Sequence, residues 1–233
     1  MNLFDNDLFS EISSDTKLKF EKAAITKACK KGEIIFLQEE DAKYFYIVKS
    51  GWIKLFRETI DGEEAIVDVV TEGHIFGNHS AFDELKYSYS AEAVENAILY
   101  QIPISLIIDN VSLDQKFALN FIKLISTKQK KNRREIEHLT VQTAPQRIGC
   151  FLLRLCNKKD NKNVKLFLPY DKSLIASRLG MKAETFSRAL TKLKEETGII
   201  INGPSVIIPD VSRLSTYTCN ACSDIYPCED VKV

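Results

Sequence analysis

Three cysteines near the end of the sequence have the spacing Cys-x2-Cys-x5-Cys; they are Cys219, Cys222 and Cys228. A Cys-x2-Cys turn brings two thiolates onto one ion, and a third cysteine nearby supplies most of a tetrahedral or cluster site. The pattern is compatible with an iron–sulfur cluster, a zinc ion, thiols that form a disulfide, or a tail without a ligand. We take the iron–sulfur cluster as the working interpretation.

Such a site requires a fourth donor. The candidates are the remaining cysteines and two carboxylates of the tail, namely Cys29, Cys150, Cys156, Asp224 and Asp230. The sequence does not choose among them. Considered by themselves, Cys150 and Cys156 are expected to be packing residues of a helix, because free cysteines behave as small apolar side chains.

Residues 171–193 predict two short helices joined by a turn at Gly180. Asp171 is the expected N-cap of the first helix. The second helix, 182–193, turns one set of residues inward (Phe186, Ala189, Leu190, Leu193) and another outward (Glu184, Ser187, Arg188, Thr191). Residues 199–208 then read as a β-hairpin that turns near Asn202-Gly203. This pattern is typical of a winged helix-turn-helix, whose second helix enters the major groove of DNA.

The charge distribution agrees with a polyanionic partner for the second half of the chain. The 32 basic and 32 acidic residues cancel overall. The net charge is nevertheless −9 over 1–110, +4 over 111–143, +7 over 144–215 and −2 over 216–233.

No apolar run is long enough to span a membrane. The acidic N-terminus lacks the features of a signal peptide, so we expect a cytoplasmic protein with reduced cysteines.

The elements that must position these groups differ along the chain. Between Gly32 and Ile104, short alternating apolar runs are separated by glycine turns, of which Asp61-Gly62 is a strong hairpin signal. This pattern predicts a small antiparallel roll or barrel. Residues 5–27 predict short amphipathic helices, with Leu18 and Ile25 among the apolar positions.

Residues 113–139 contain no Gly or Pro and predict one long helix. A heptad register places seven of its residues on a single stripe: Ala118, Ile122, Ile125, Gln129, Asn132, Ile136 and Leu139. This stripe favours pairing with a second copy of the chain, with Gln129 and Asn132 as polar positions that fix the register. The alternative is a single helix packed on the roll through Phe121 and Leu124.

Over residues 15–213 the chain resembles the cAMP receptor protein/Fnr (Crp/Fnr) family of bacterial transcription regulators. The resemblance rests on six segments: 31–36, 46–51, 61–64, 73–77, 175–180 and 184–188. It implies an α+β fold with an N-terminal cyclic-nucleotide-binding-type antiparallel β-roll, a long dimerisation helix and a C-terminal winged helix-turn-helix. The expected boundaries are 1–110 for the roll, 111–143 for the helix, 144–213 for the DNA-binding domain and 214–233 for the cysteine-rich tail.

The second helix resembles the Fnr branch, in which a Glu-x-x-Ser-Arg pattern reads half-sites of the TTGAT type. Arg188 can donate two hydrogen bonds to guanine, and Glu184 can accept one from cytosine. Ser187 adds a small contact to a neighbouring base pair. Lys172 and Thr185 occupy places suited to phosphates. The resemblance implies a homodimer that binds palindromic double-stranded DNA, with RNA polymerase as a further partner.

The expected effector pocket of the roll comprises Gly77, Asn78, His79, Tyr89 and Ser90. Family members that bind cAMP have a Gly-Glu pair and an Arg-Ser/Thr pair there. Here Asn78 follows Gly77, and Tyr89 stands where the arginine is expected, so we predict no cAMP binding. His79 stands where the haem branch of the family has an iron ligand, which leaves haem as an alternative cofactor. The tail resembles that of a smaller group of Fnr-like regulators that hold an iron–sulfur cluster through C-terminal cysteines.

A small-molecule-binding regulator with a structural zinc tail is a further alternative. A protein of a different class would be a cyclic-nucleotide-binding-type module that regulates a protein partner, and the helix-turn-helix argues against it. The sequence contains no glycine-rich phosphate loop, nucleophile motif or acid–base pair, so we do not expect an enzyme.

Overall fold

The structure is a computed structural model, and it describes residues 2–157, 159, 161–168, 171–222 and 226–228. The chain forms two compact units, residues 1–129 and 130–233, and each has its own hydrophobic core. In the described part of the chain, no helix combines the length and the apolar character needed to cross a membrane.

Two antiparallel sheets form the roll of the first unit. One sheet contains β1 (Ile25–Cys29), β3 (Tyr44–Ser50), β6 (Ile75–Phe76) and β8 (Ala97–Pro103), in the spatial order β1-β8-β3-β6. The other contains β2 (Ile34–Phe36), β4 (Ile53–Glu58), β5 (Glu64–Val70) and β7 (Ser90–Ala93), in the order β2-β7-β4-β5. Fully buried side chains fill the core, including Phe45, Ile47, Leu55, Phe76 and Leu99. The predicted antiparallel roll is confirmed.

Helices flank the strands of this unit. They are short 3-10 turns at Leu3–Asp5, Asp7–Phe9 and Asn78–Phe82, and the α-helices α1 (Ser14–Ala23) and α2 (Ser105–Leu113). The prediction for residues 5–27 was wrong at its end, since Ile25 begins β1 and is 60% exposed. Leu18 is also exposed rather than packed. Helix α2 was not predicted.

The predicted long helix is α3 (Gln115–Val141). Asp114 caps its start, because one carboxylate oxygen accepts hydrogen bonds from the N–H groups of Lys116 and Phe117, each at 3.0 Å. Burial would raise the pKa of Asp114, but hydrogen bonds from backbone N–H groups, among them that of Phe117, outweigh it and hold the pKa well below its ordinary value. Phe117 and Phe121 are buried in the core of the first unit.

The second unit has the order of elements of a winged helix-turn-helix. Its helices are α4 (Ala144–Leu155), α5 (Lys172–Arg178), α6 (Ala183–Thr197) and α7 (Val211–Cys219). Its antiparallel sheet contains β9 (Lys162–Phe167), β10 (Ile200–Asn202) and β11 (Ser205–Asp210), in the order β10-β11-β9. The wing predicted at 199–208 is therefore the hairpin of β10 and β11. Helix α7 was not predicted, and it carries Cys219 at its end.

Candidate DNA interface and sensor sites

The first half of α6 presents polar side chains to solvent. Glu184, Ser187 and Arg188 are exposed, whereas Phe186 and Ala189 are buried in the core of the second unit. Within the described chain, the side chains of Glu184 and Arg188 form no hydrogen bond or ion pair. Both groups are therefore available to donate to or accept from base edges.

The helix that precedes α6 is positioned by local hydrogen bonds. Asp171 caps α5 as predicted, since its carboxylate accepts a hydrogen bond from the N–H of Leu174 at 2.9 Å. Gly180, with φ +65°, makes the turn between α5 and α6. Lys172 is exposed in the first turn of α5, and Thr185 is half-buried in the first turn of α6. The two predicted phosphate contacts thus lie near the starts of the two helices.

The heptad stripe of α3 is open in the single chain. The apolar residues Ile122, Ile125, Ile136 and Leu139 are 60%, 49%, 62% and 52% exposed. Gln129 and Asn132, between them, are exposed as well. Phe121 and Leu124 instead pack on the core of the first unit. One side of α3 therefore packs on the roll, and a different side leaves large apolar side chains in solvent.

The predicted effector residues of the roll are packed against one another. The hydroxyl of Tyr89 accepts a hydrogen bond from the N–H of Gly77 at 3.0 Å, and Tyr89 is only 6% exposed. Asn78 and Ser90 are also buried, and the hydroxyl oxygen of Ser90 accepts from the N–H of Gln38. The side chain that replaces the expected arginine is thus an uncharged phenol, and burial raises its pKa further.

His79 is fixed by neighbours in the same roll. Its Nε2 lies 2.7 Å from the hydroxyl oxygen of Ser88, and its ring lies 4.9 Å from that of Tyr89. Burial lowers the pKa of His79, and the charge of Lys128 adds to the effect, so the imidazole is neutral at pH 7. A haem ligand would have to give up the Ser88 hydrogen bond if Nε2 bound the iron.

The three tail cysteines lie near a fourth thiol, that of Cys150. Burial and, to a smaller extent, the nearby thiols of Cys150, Cys222 and Cys228 together raise the pKa of Cys219 to about 12. Burial also raises the pKa of Cys150, and Arg154 partly opposes this. Cys150 and Cys219 therefore each lie within electrostatic reach of the other three thiols. Every one of them is half-buried.

The other proposed fourth donors are placed differently. Cys29 is 3% exposed in the core of the roll, and Cys156 is 0% exposed in the core of the second unit. Cys156 is thus the packing residue that the sequence predicts. Asp224 and Asp230 lie outside the described residues. Among the residues that are described, no three His, Cys, Asp or Glu side chains are arranged to hold a single metal ion.

Sequence reasoning missed His138 and Arg154 as neighbours of the cysteines. His138 is buried, with Nε2 3.5 Å from the sulfur of Cys222 and Nδ1 4.0 Å from that of Cys150. A nitrogen of Arg154 lies 2.9 Å from Nδ1. No spacing rule connects these positions, since His138 lies 84 residues from Cys222.

Family models match both units. The cyclic nucleotide-binding domain matches residues 26–109, and the Crp-like helix-turn-helix domain matches residues 146–217. A solved structure from Ruegeria pomeroyi, of a protein assigned as cyclic nucleotide binding, is 34% identical, with a TM-score of 0.66. The alignment covers 92% of this chain and 94% of that one.

Two further relatives agree with these matches. Electron transport regulator A of Shewanella oneidensis is 27% identical over 84% of this chain and 79% of its own length. FixK2 from Bradyrhizobium japonicum shares the fold, with a TM-score of 0.73 at 23% identity over 83% of this chain and 96% of its own.

A roll of the cyclic-nucleotide-binding type joined by a long helix to a helix-turn-helix unit defines a class of DNA-binding transcription regulators rather than enzymes. Within that class, the chain belongs to the Crp/Fnr family.

Proposed function

We propose that the protein is a homodimeric regulator that binds a TTGAT-like palindrome in double-stranded DNA. The observation that carries the proposal is the exposed set of Glu184, Ser187 and Arg188 on α6, whose two charged members have no partner among the described residues. Arg188 reads guanine, Glu184 reads cytosine and Ser187 contacts a neighbouring base pair. Lys172 and Thr185 bind phosphates and set the position of the helix without specifying sequence.

The open stripe on α3 is the proposed dimer interface. Four exposed apolar residues on one side of a helix are costly in water, and a second copy of the helix buries them. A two-fold dimer places its recognition helices in successive major grooves, about one helical turn apart. RNA polymerase is the proposed protein partner of the DNA-bound dimer. Along the chain, we assign 1–110 to the roll, 111–143 to the dimer helix, 144–213 to DNA binding and 214–233 to the tail.

The tail is the proposed sensor, through an iron–sulfur cluster held by Cys219, Cys222 and Cys228. When bound, such a cluster supplies a centre that oxygen, nitric oxide or a redox partner can alter. The half-buried thiols bind it, and the end of α7 fixes the position of Cys219. The roll serves as a scaffold without cAMP, because an uncharged tyrosine takes the place of the guanidinium that a cyclic phosphate requires.

The proposal is tested by fluorescence anisotropy on anaerobically purified protein. One labelled duplex carries the TTGAT palindrome, and a matched duplex has both half-sites scrambled at the same base composition. At a fixed salt concentration we expect the palindrome to bind at least about 1,000-fold more tightly. Equal affinity for the two duplexes would overturn the assignment of the recognition helix and leave the alternative of a module that acts on a protein partner.

A further inference from the structure

Cys150 is brought to the tail by a close crossing of α4 and α7. A Cβ atom added at Gly149 would lie 2.3 Å from the hydroxyl oxygen of Thr218, so a glycine is required for this approach. Gly149 directly precedes Cys150, and Thr218 directly precedes Cys219. The contact between α4 and α7 therefore places Cys150 and Cys219 at the same position along the helix crossing.

The Cys-x2-Cys turn is also attached to α4. The N–H of Cys222 donates to the carbonyl of Cys219 at 3.1 Å, which closes the turn. Between them, the side-chain oxygen of Asn220 accepts a hydrogen bond from Nε2 of Gln146 at 2.7 Å. Gln146 lies one helical turn before Cys150 on α4, so it holds the turn next to that thiol.

His138 lies beside the thiol of Cys150 and that of Cys222. Its hydrogen bonds determine which ring nitrogen carries the proton. A guanidinium can only donate, so Nδ1 of His138 accepts from Arg154 at 2.9 Å. In the neutral ring the proton is therefore on Nε2, which lies 3.5 Å from the sulfur of Cys222. This N–H is placed to donate to the sulfur of Cys222.

We propose that Cys150 is the fourth ligand of an iron–sulfur cluster of the four-iron type on Cys219, Cys222 and Cys228, and that His138 is a positioning residue that donates its Nε2–H to Cys222. The inference rests on the proposed function of the tail and adds the missing ligand. Cys29 and Cys156 do not serve, since each is enclosed in a hydrophobic core. On binding, the four thiols lose their protons to solvent.

Four thiols can hold either a single zinc ion or a four-iron cluster, and the two centres require different separations of the sulfurs. Four sulfurs on one zinc ion lie about 3.8 Å apart, given a Zn–S distance of about 2.3 Å. The described side chains do not form such a group. In a four-iron cluster each thiolate binds its own iron atom, so the sulfurs stand farther apart around a larger centre. The structure places two of the proposed ligands around one side chain, since Nδ1 of His138 lies 4.0 Å from the sulfur of Cys150 and Nε2 lies 3.5 Å from that of Cys222.

The surroundings of the site also suit a group with negative charge. Four thiolates bring more negative charge than the metal core balances, and hydrogen bonds to sulfur then stabilise the reduced form. Nε2 of His138 lies 3.5 Å from the sulfur of Cys222, and Arg154, which donates to Nδ1 of the same ring, lies one helical turn after Cys150 on α4. The positive charge and the N–H donor therefore stand at two of the four proposed ligands.

The test compares Cys150→Ala with Cys156→Ala, a matched cysteine substitution at the end of the same helix. Each protein is purified without oxygen and assayed for iron, sulfide, zinc and visible absorption. We expect about four iron and about four sulfide per protomer in the wild type and in Cys156→Ala. Cys150→Ala should lose the four-iron spectrum but keep the far-ultraviolet circular dichroism spectrum of the wild type, which shows that it is folded.

Each other outcome has a distinct meaning. If Cys150→Ala keeps the full cluster, Cys150 is not a ligand, although the tail cluster of the proposed function stands. If the wild type holds zinc alone, or no metal, the cluster itself is wrong, and the failure lies in the proposed function.

A second measurement avoids variants altogether. The wild type is alkylated before and after removal of iron, and each cysteine is quantified by mass spectrometry. We expect chelation to expose Cys150 together with the three tail cysteines, whereas Cys29 and Cys156 stay unmodified in both samples. Equal modification of Cys150 in the two samples would show that it binds no iron.

The role of His138 is tested through the reduction potential. His138→Leu removes the N–H donor and should lower the potential, whereas His138→Gln keeps a donor and should restore most of it. A potential that is the same in all three proteins would remove His138 from the proposal. A purely structural role would change stability and leave the potential of the intact cluster in place.

Discussion

At the scale of single residues, Arg188 carries most of the proposed sequence readout. Arg188→Ala removes two hydrogen bonds to guanine in each half-site, a loss of about 1–3 kcal/mol per base pair. We expect the affinity for the palindrome to fall towards that for the scrambled duplex, while weak and salt-sensitive binding persists. Anisotropy titrations at several salt concentrations measure both. Lys194→Ala, an exposed position in the last turn of the same helix, is the control. Unchanged affinity in Arg188→Ala would contradict the assignment.

Tyr89 is the residue on which our prediction for ligand binding by the roll depends. Its buried hydroxyl already accepts the N–H of Gly77, and it brings no positive charge to a cyclic phosphate. We therefore expect calorimetry to show a dissociation constant for cAMP above about 1 mM. The affinity for DNA should be the same with and without the nucleotide. A regulator that binds cAMP, measured in the same buffer, is the positive control. Saturable binding coupled to a change in DNA affinity would show that the roll is a nucleotide sensor.

At the scale of elements, the sequence predicted those parts whose signals are local. Apolar spacing and an N-cap define α5 and α6, and Asn202-Gly203 marks the turn of the wing. Strand β1 was missed because its partner β8 lies some seventy residues away, so pairing and not local spacing makes Ile25 part of a strand. The proposed assignment of Cys150 rather than Cys156 as the fourth ligand could not be predicted from the sequence either. It depends on the crossing of α4 and α7, for which a single glycine is the only local sign.

That crossing gives a prediction in which one substitution has opposite effects in two backgrounds. Gly149→Ala alone should destabilise the protein by about 1–2 kcal/mol, because the added Cβ meets the hydroxyl oxygen of Thr218. In a Thr218→Ala background the remaining contacts of that Cβ are 3.4 Å, and the helix propensity of alanine should stabilise by up to about 1 kcal/mol. Urea unfolding followed by circular dichroism measures the cycle. The same effect in both backgrounds would mean that the helices do not cross at this contact.

The stripe on α3 allows a test of dimerisation. Ile125→Asp places a carboxylate at the centre of the proposed interface, where two copies would face each other without a cation. A buried unpaired charge costs about 3–5 kcal/mol, so the dimer should weaken by at least about 100-fold. Sedimentation velocity over a concentration series measures the change. Thr127→Asp, an exposed position on the opposite side of the same helix, should leave the dimer intact. A dimer of normal strength in Ile125→Asp would rule out this interface.

At the scale of the whole molecule, the question is how a change at the cysteines reaches DNA. Within residues 130–233, hydrogen bonds and ion pairs connect the two sites. His138 contacts Cys222 and Arg154, and Arg154 lies 3.6 Å from the carboxylate of Glu135 on α3. The same carboxylate pairs with Arg178 at the end of α5. Glu135 thus joins the surroundings of the cysteines to the first helix of the DNA-binding motif and to the proposed dimer helix.

Glu135 is therefore the position where loss of one charge should uncouple the sensor from DNA binding. In Glu135→Gln the two arginines lose their shared anion, while the cysteines and the recognition residues are untouched. We expect the ratio of DNA affinities with and without the cluster to move towards one by about 0.5–2 kcal/mol, or roughly 2- to 30-fold. Glu195→Gln, an exposed carboxylate on α6, should keep the wild-type ratio.

Because Arg178 acts through the same carboxylate, Arg178→Gln should add little to Glu135→Gln. Fully additive effects of the two substitutions on this ratio would show that the signal does not pass through their contact.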